Sequence, residues 1–298
     1  PDCPFPIRYT SLTAFNARYR QGRITATGSL VYTNVTEHVK IGDAPADFQR
    51  LAPSFTVSLQ PWQEQLLFLR LMYKSTFRMP TFNDLYYYRL GNRSLRPEKA
   101  NEYNMGITWS RSFSSFLNYL SVTVDGYYND VTDKIVAFPT TYAWKMANYG
   151  KVHVTGMDAT LAAAASLGKN TVLVVSGGYT WQKAIDLTDA TSKSYKDQLP
   201  YTPKHSGNVS AVLEMPWVNV GYSIVGVSER YSMSQNIPEN RIDGYMEHTV
   251  SLSRNFSFRH CKLRLQAEII NLTDTQYDVI KYYPMPGRSW RLTGTIEF

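Results

Sequence analysis

From residue 9 to the last residue the chain keeps returning to one pattern: apolar side chains at every second position with polar ones between. Lys262-Leu263-Arg264-Leu265-Gln266-Ala267-Glu268-Ile269 follows it strictly, and so do the nine residues from Trp290 to Phe298. Successive side chains of a strand point to opposite faces, so each such segment makes a strand with one oily and one wet face. The same alternation recurs at Phe55, Val57 and Leu59, at Leu67, Leu69, Leu71 and Tyr73, and at Tyr103, Met105, Ile107 and Trp109. About thirteen segments are predicted, starting near residues 9, 22, 52, 65, 99, 118, 148, 171, 206, 217, 245, 260 and 287. Each has roughly ten residues or more, the length with which a tilted strand crosses a bilayer. The alanine run from Ala162 to Ala165 lies inside an alternating stretch and reads as strand, not helix.

The connectors carry a second regularity. Short turns, such as Arg20-Gln21-Gly22, Gln60 to Gln63, Arg111 to Phe116 and Met215-Pro216-Trp217, alternate with long polar links at about 37–50, 78–98, 131–147, 183–204, 231–244 and 271–286. Tight turns on one side and long loops on the other describe a transmembrane barrel better than a soluble sandwich or propeller. The fold class expected is therefore all-β, an antiparallel transmembrane β-barrel. Thirteen strands is an odd number, unusual for a closed single-chain bacterial barrel, so the expectation is a portion that upstream strands complete.

Composition fits. Hydrophobic residues make up 43% of the 298, yet the mean hydropathy is −0.32, because they are dispersed rather than blocked. No stretch approaches the roughly 18 consecutive apolar residues of a membrane helix. The 22 Tyr, 13 Phe and 6 Trp favour strands. The net charge of +7 is spread along the chain without the cluster that phosphate tracking needs, so no nucleic acid is expected as partner. Cys3 and Cys261 form no CxxC, and His38, His153, His205, His248 and His260 are scattered, so neither a metal site nor a resident cofactor is expected. Pro1 opens the chain without a basic segment, apolar core and cleavage site; for an exported protein, that implies a start that is missing or processed.

Three stretches carry a resemblance. Trp290, Leu292, Ile296 and the terminal Phe298 resemble the assembly signal of outer-membrane proteins, read by the barrel-insertion machinery. Phe77-Arg78-Met79-Pro80-Thr81-Phe82-Asn83-Asp84-Leu85-Tyr86, then Gly91-Asn92 and Leu95-Arg96-Pro97-Glu98, resembles a mid-barrel stretch of TonB-dependent receptors, in a Bacteroidetes-like wording. Asn271-Leu272-Thr273-Asp274 with Tyr277, then Tyr283-Pro284-Met285-Pro286-Gly287-Arg288, resembles the stretch that leads into that family's last strand. Both loop motifs fall where the connector pattern places long links.

The resemblance implies a 22-stranded outer-membrane barrel, of which residues 1–298 are the C-terminal portion. The N-terminal plug domain and its TonB box are absent from this chain. It also implies active import of a scarce nutrient with energy supplied by TonB, and partners in outer-membrane lipid, the TonB complex, the barrel-assembly machinery and a small-molecule ligand. Thr81 to Asn92 contains no histidine, which disfavours haem, and the compact loops disfavour glycans, leaving ferric siderophores or cobalamin. Candidate ligand contacts are loop aromatics and a cation: Tyr86, Tyr87, Tyr88, Arg89, Tyr142, Trp144, Tyr282 and Tyr283. Aromatics can stack on a flat ligand and Arg can pair with an anionic one; packing of the loops alone is the plainer reading. Within the motifs, Phe77, Arg78, Pro80, Asn92, Pro97, Glu98, Asn271, Asp274, Gly287 and Arg288 read as structural, with Gly287 allowing a tight entry into the last strand and Arg78 pairing with a lumen or plug carboxylate.

Two other classes stay in view. One is a passive pore or surface-binding barrel without energy coupling. The other is a rim hydrolase built on His248, Glu247 and Asp243, but alternation puts His248 and Glu247 on opposite faces and no nucleophile pattern accompanies them, so no enzyme is expected.

Overall fold

The computed structural model describes residues 4–62, 64–114, 116–139, 144–259 and 261–297. Thirteen strands form one sheet: β1 (Ile7–Gln21), β2 (Ile24–His38), β3 (Phe48–Leu59), β4 (Leu66–Arg78), β5 (Glu98–Ser112), β6 (Leu117–Pro139), β7 (Trp144–Gly168), β8 (Thr171–Asp186), β9 (His205–Glu214), β10 (Asn219–Val227), β11 (Tyr245–Ser257), β12 (Lys262–Ile270) and β13 (Ser289–Glu297). Each strand pairs antiparallel with its neighbours in chain order, a pure meander, and β1 and β13 each keep one unpaired edge among the described residues. All thirteen predicted segments are strands of this sheet, the alanine run included.

The register keeps the alternation in phase from strand to strand. Phe55, Tyr73, Tyr103 and Tyr128 stand in one row across β3 to β6, and Leu71, Met105 and Gly126 in the next. Large apolar side chains on this face are exposed, among them Leu71, Met105, Trp290 and Leu292, the last at 80%. A water-soluble protein would bury such a surface. The opposite face is polar. Arg70, Gly106 and Asp125 form one of its rows, and the Arg70 guanidinium donates to both Asp125 carboxylate oxygens at 3.0 and 3.2 Å across the glycine between them. A Cβ on Gly106 would run into Asp125 Oδ1.

The apolar face ends, toward the long loops, in a belt of repeated geometry. Each of the four described histidines sits diagonally across from a tyrosine on the preceding strand, two residues nearer the loops: Tyr9 with His38, Tyr128 with His153, Tyr179 with His205 and Tyr222 with His248. In the last three the phenol oxygen lies 3.2, 2.7 and 2.7 Å from Nδ1. Rings with one apolar body and one polar tip suit a boundary between oil and water.

The fully buried apolar residues lie at the loop end of the wall. One cluster joins Ala100, Val131, Val152, Val154 and Ala184 to Leu199 of the 187–204 loop; the other joins Leu85 and Leu95 to Ile135 and Met146. The second explains one departure from the expected connectors. The long link expected at 131–147 is mostly strand: β6 has 23 residues and β7 has 25, and they pair from Leu117–Ala165 out to Pro139–Trp144. Asp133, at φ 55°, interrupts the regular backbone, and Ile135 and Met146 then find apolar partners in the 79–97 loop, which hold the extension. Trp144 is thus the first residue of β7, and Tyr142 lies outside the described residues, as do Phe298, Cys3 and His260.

The tight glycines make the wall testable. Gly106→Val should destabilise the folded barrel by about 1–3 kcal/mol, since it drives a side chain into the Arg70–Asp125 pair. Gly126→Ala, whose Cβ would meet only Met105 O at 4.0 Å, should leave stability unchanged or slightly higher. Urea unfolding of the two variants in detergent micelles checks both directions.

Candidate functional site

The two sequence motifs meet the sheet at the same end, where the long connectors lie. In the first, Thr81 caps α1 (Phe82–Tyr86): its hydroxyl accepts from the Asp84 amide while the Asp84 carboxylate accepts from the Thr81 amide. This reciprocal capping box is readable in the sequence as a Thr three residues before an Asp, a signal that the reading of 78–98 as a plain link passed over. The short helix buries Leu85, at 1% exposure, and turns Tyr86 toward the first hairpin. There the Tyr86 hydroxyl donates to Glu37 Oε1 at 2.5 Å and Arg8 pairs with Glu37 at 2.6 Å. Arg8 also donates to the Pro80 carbonyl at 2.8 Å, and the Arg93 guanidinium lies 5.4 Å over the Tyr86 ring. Burial first, and then the hydrogen bond to the Glu37 carboxylate, push the Tyr86 phenol above the usual tyrosine range.

Between this motif and residues 44–48 lies a cleft of about 450 Å³, walled by Leu85, Met79 and Phe48 and rimmed by Arg8, Arg93, Arg96 and Lys99. Arg8 is answered by Glu37, and Arg96 by Asp133 at 2.5 Å, which raises the Arg96 pKa. Arg93 and Lys99 have no carboxylate within 4 Å among the described residues; with Asp47 also lining the cleft, one positive charge stays in excess.

The second motif belongs to a knot of three loops. Asn271, wholly buried at φ 53°, exchanges hydrogen bonds of 2.9 Å with the backbone of Thr275. Asp274 Oδ1 accepts from the Arg288 amide at 2.8 Å and would lie 2.6 Å from a Cβ on Gly287. The glycine therefore makes room for a carboxylate just before the last strand. Arg230, from the 228–244 loop, is 4% exposed and donates to the Asp278 and Val279 carbonyls. Tyr201 of the 187–204 loop donates its amide to the Tyr231 carbonyl. Tyr277 stacks on Tyr245 with centroids 3.9 Å apart and donates to Glu247 at 2.5 Å; burial, then this bond, raise its pKa.

The proposed ligand contacts are dispersed along the rim. Tyr87, Tyr88, Tyr282 and Tyr283 are exposed, Tyr282 most of all. Arg89 lies over Tyr88, and Lys281 over Tyr282. Trp144 packs on Tyr201 at 6.0 Å, and Tyr86 is half-buried in its contact with Glu37. The motif residues take up local bonds. Phe77 packs at a tilt against Phe48, Asn92 donates to the Met146 carbonyl, and Glu98 accepts from the Ile135 amide; Pro97 lines the cleft. Arg78 faces Asp84 at 3.4 Å and Glu98 at 3.6 Å, carboxylates of its own motif. Arg93 and Lys99 were not among the sequence candidates; their charge becomes notable only once the cleft brings them together. His248 and Glu247 point to opposite faces, the first bonded to Tyr222 and the second to Tyr277. No group of three metal-ligating side chains occurs among the described residues. Exposed aromatics and unpaired cations suit capture of a planar or anionic molecule.

A family model described as "TonB dependent receptor-like, beta-barrel" matches residues 7–272. The chain is similar to the vitamin B12 transporter BtuB of Photobacterium profundum, 26% identical over 230 residues, which cover 74% of this chain and 34% of that protein. BtuB of Vibrio vulnificus is 24% identical over 233 residues, 74% of this chain and 33% of that one. Among solved structures, the unliganded ferric citrate transporter FecA superposes with a TM-score of 0.77 at 15% identity, covering 96% of this chain and 44% of that one. The copper transporter OprC gives 0.74 at 15% identity, with coverage of 98% and 47%. The chain spans about a third of the length of the curated relatives it matches, and under half of these structures.

Tyr86→Phe should cost about 1.5 kcal/mol by removing the donor to Glu37. In an alkaline spectrophotometric titration, the same variant should lose a phenol that ionises after the bulk of the tyrosines. A raised phenol pKa means that this contribution is complete below the ordinary tyrosine range and is lost as pH rises toward the higher folded value.

Proposed function

The chain belongs to the TonB-dependent receptor β-barrel family, and on that premise we propose that it is the membrane-spanning and ligand-collecting part of an outer-membrane importer. The observation that supports this reading best is the family match over residues 7–272, on a sheet whose apolar face is exposed from β1 to β13. Lipid is the solvent that such a face requires, and the belt of Tyr–His pairs marks its boundary on the loop side. Further strands, bonded to the free edges of β1 and β13, close the barrel. A plug and TonB supply gating and energy, and the amphipathic β13 serves the insertion machinery.

The ligand is a ferric siderophore or cobalamin. Relatives named as vitamin B12 transporters and structural neighbours named for ferric citrate and siderophore uptake support this pair of classes. On the rim, Tyr87, Tyr88 and Tyr282 offer faces for stacking, and Arg93 and Lys99 offer charge to an anionic complex. Charge favours the siderophore at the cleft, where the cations outnumber the carboxylates Glu37, Asp47 and Asp133 by one, because a cation near an anion gains more in a partly desolvated site than on open surface.

Titration of the purified protein with cyanocobalamin and with a panel of ferric siderophores, followed by tryptophan quenching, tests the reading. One of them should bind, and Arg93→Ala with Lys99→Ala should weaken an anionic ligand about tenfold, the effect of removing roughly 1.4 kcal/mol. Ligand-dependent growth of a producing strain should vanish when TonB is deleted. Growth indifferent to TonB, together with steady conductance in planar bilayers, would establish a passive pore instead.

A further inference from the structure

The apolar face of the wall is notched at two places, once at Gly126 beside Leu71, Met105 and Tyr128, and once on the later strands, where two glycines lie side by side. Across β8, β9, β10 and β11 the register aligns Tyr179, Gly207, Gly226 and Met246 in a single row. Tyr179 and Met246 therefore stand three strand spacings apart, about 14 Å, with no side chain between them. The row nearer the tight turns is filled by Val209 and Ile224, and the row nearer the loops by His205 and Ser228. The result is a slot of about 430 Å³ with almost wholly apolar walls.

Internal packing accounts for only half of it. A Cβ on Gly207 would come within 2.9 Å of the Gly178 carbonyl oxygen, so the backbone itself demands glycine there. Gly226 is different: its Cβ would meet only Met246 Cγ, at 3.7 Å, an ordinary contact. A strand position that would accept a side chain but carries glycine loses stability, and such positions often mark the close approach of another molecule. The slot also has a polar end. Tyr179 and His205 form a 2.7 Å hydrogen bond beside it. Lys183, four residues beyond Tyr179 on the same face of β8, is exposed and has no carboxylate within 4 Å among the described residues. Four strand residues are about 13 Å, roughly the distance from the upper part of an acyl chain to its headgroup once the lysine stem bends toward it.

We propose that the slot floored by Gly207 and Gly226 holds one acyl chain of a phosphate-bearing lipid, whose headgroup rests on Lys183 and the Tyr179–His205 pair. The proposal relies on the reading that this face lies in a membrane, with the long loops on the outer side. Charge complementarity selects the lipid: an exposed lysine on the loop side of the aromatic belt, with no carboxylate partner among the described residues, favours an anionic headgroup over a zwitterionic one.

Native mass spectrometry of the protein in dodecyl maltoside, titrated with phosphatidylglycerol or phosphatidylcholine, reads the site directly. The wild type should retain a first phosphatidylglycerol at lower lipid concentration than phosphatidylcholine. Gly226→Leu should lower that first occupancy about fivefold or more by filling the slot. Lys183→Ala should remove the preference between the two lipids, also about fivefold, while chain binding persists. Heat-modifiable migration identifies folded barrel in every sample. Its absence in the wild type would defeat the membrane reading itself, separately from the lipid site. If Gly226→Leu does not fold, Met246→Trp narrows the slot from its wall and should produce the same loss. Retention by either folded slot variant equal to that of the wild type would overturn the proposal, as would displacement of the lipid by inorganic phosphate alone.

Discussion

Backbone pairing is the constraint on which this architecture depends. A strand whose one face meets hydrocarbon has no water to satisfy its amides and carbonyls, so each must find a neighbour in the sheet. The meander answers this locally, since every strand pairs with the next in sequence and few residues are needed at the tight turns. Gly22 shows how little: at φ +54° it turns the chain between Gln21 and Ile24, which are themselves paired. Once the ladder is continuous, alternation sorts the side chains without further instruction. The polar face tolerates ion pairs such as Arg70–Asp125 because it remains wet, and the apolar face needs no internal core. The small clusters of buried residues are consequently confined to places where loops fold back on the wall.

Period-two patterning exposed nearly all of the sheet in the sequence, because it reflects a rule that each residue obeys with its immediate neighbours. Thirteen segments, their order and the alternation of short and long connectors all follow from it. The extension of β6 and β7 escaped because the polar pair Asp133-Lys134, followed by Ile135-Val136-Ala137, shows no alternation in the sequence, and because Ile135 and Met146 are buried by Leu85 and Leu95 rather than by lipid. The rim was less legible for the same physical reason. Glu37 and Tyr86 are 49 residues apart, and Arg230 reaches carbonyls 48 and 49 residues away. Nothing local in either segment announces those partners. Gly287 is instructive in another way: its motif implies a tight entry into the last strand, but not that the Asp274 carboxylate is what takes up the room.

The two motifs perform related tasks by different means. The first ties a short helix to the opening hairpin through one carboxylate, Glu37, which receives both a phenol and a guanidinium. The second closes on itself through a buried asparagine whose amide replaces missing backbone partners. Both leave tyrosines exposed at the rim, Tyr87 and Tyr283 among them, while Tyr88 and Tyr282 each carry a neighbouring cation over the ring.

The unequal heights of the hairpins give the rim a handedness of stiffness. On one side β6 and β7, 23 and 25 residues long, rise as one paired antiparallel ladder. On the other, strands of nine or ten residues give way to three loops that share bonds through Tyr201, Arg230 and Asn236. The first side is held within a single hairpin and by the 79–97 loop, whereas on the second each loop holds its neighbours, so releasing one loop withdraws bonds from the two it grips.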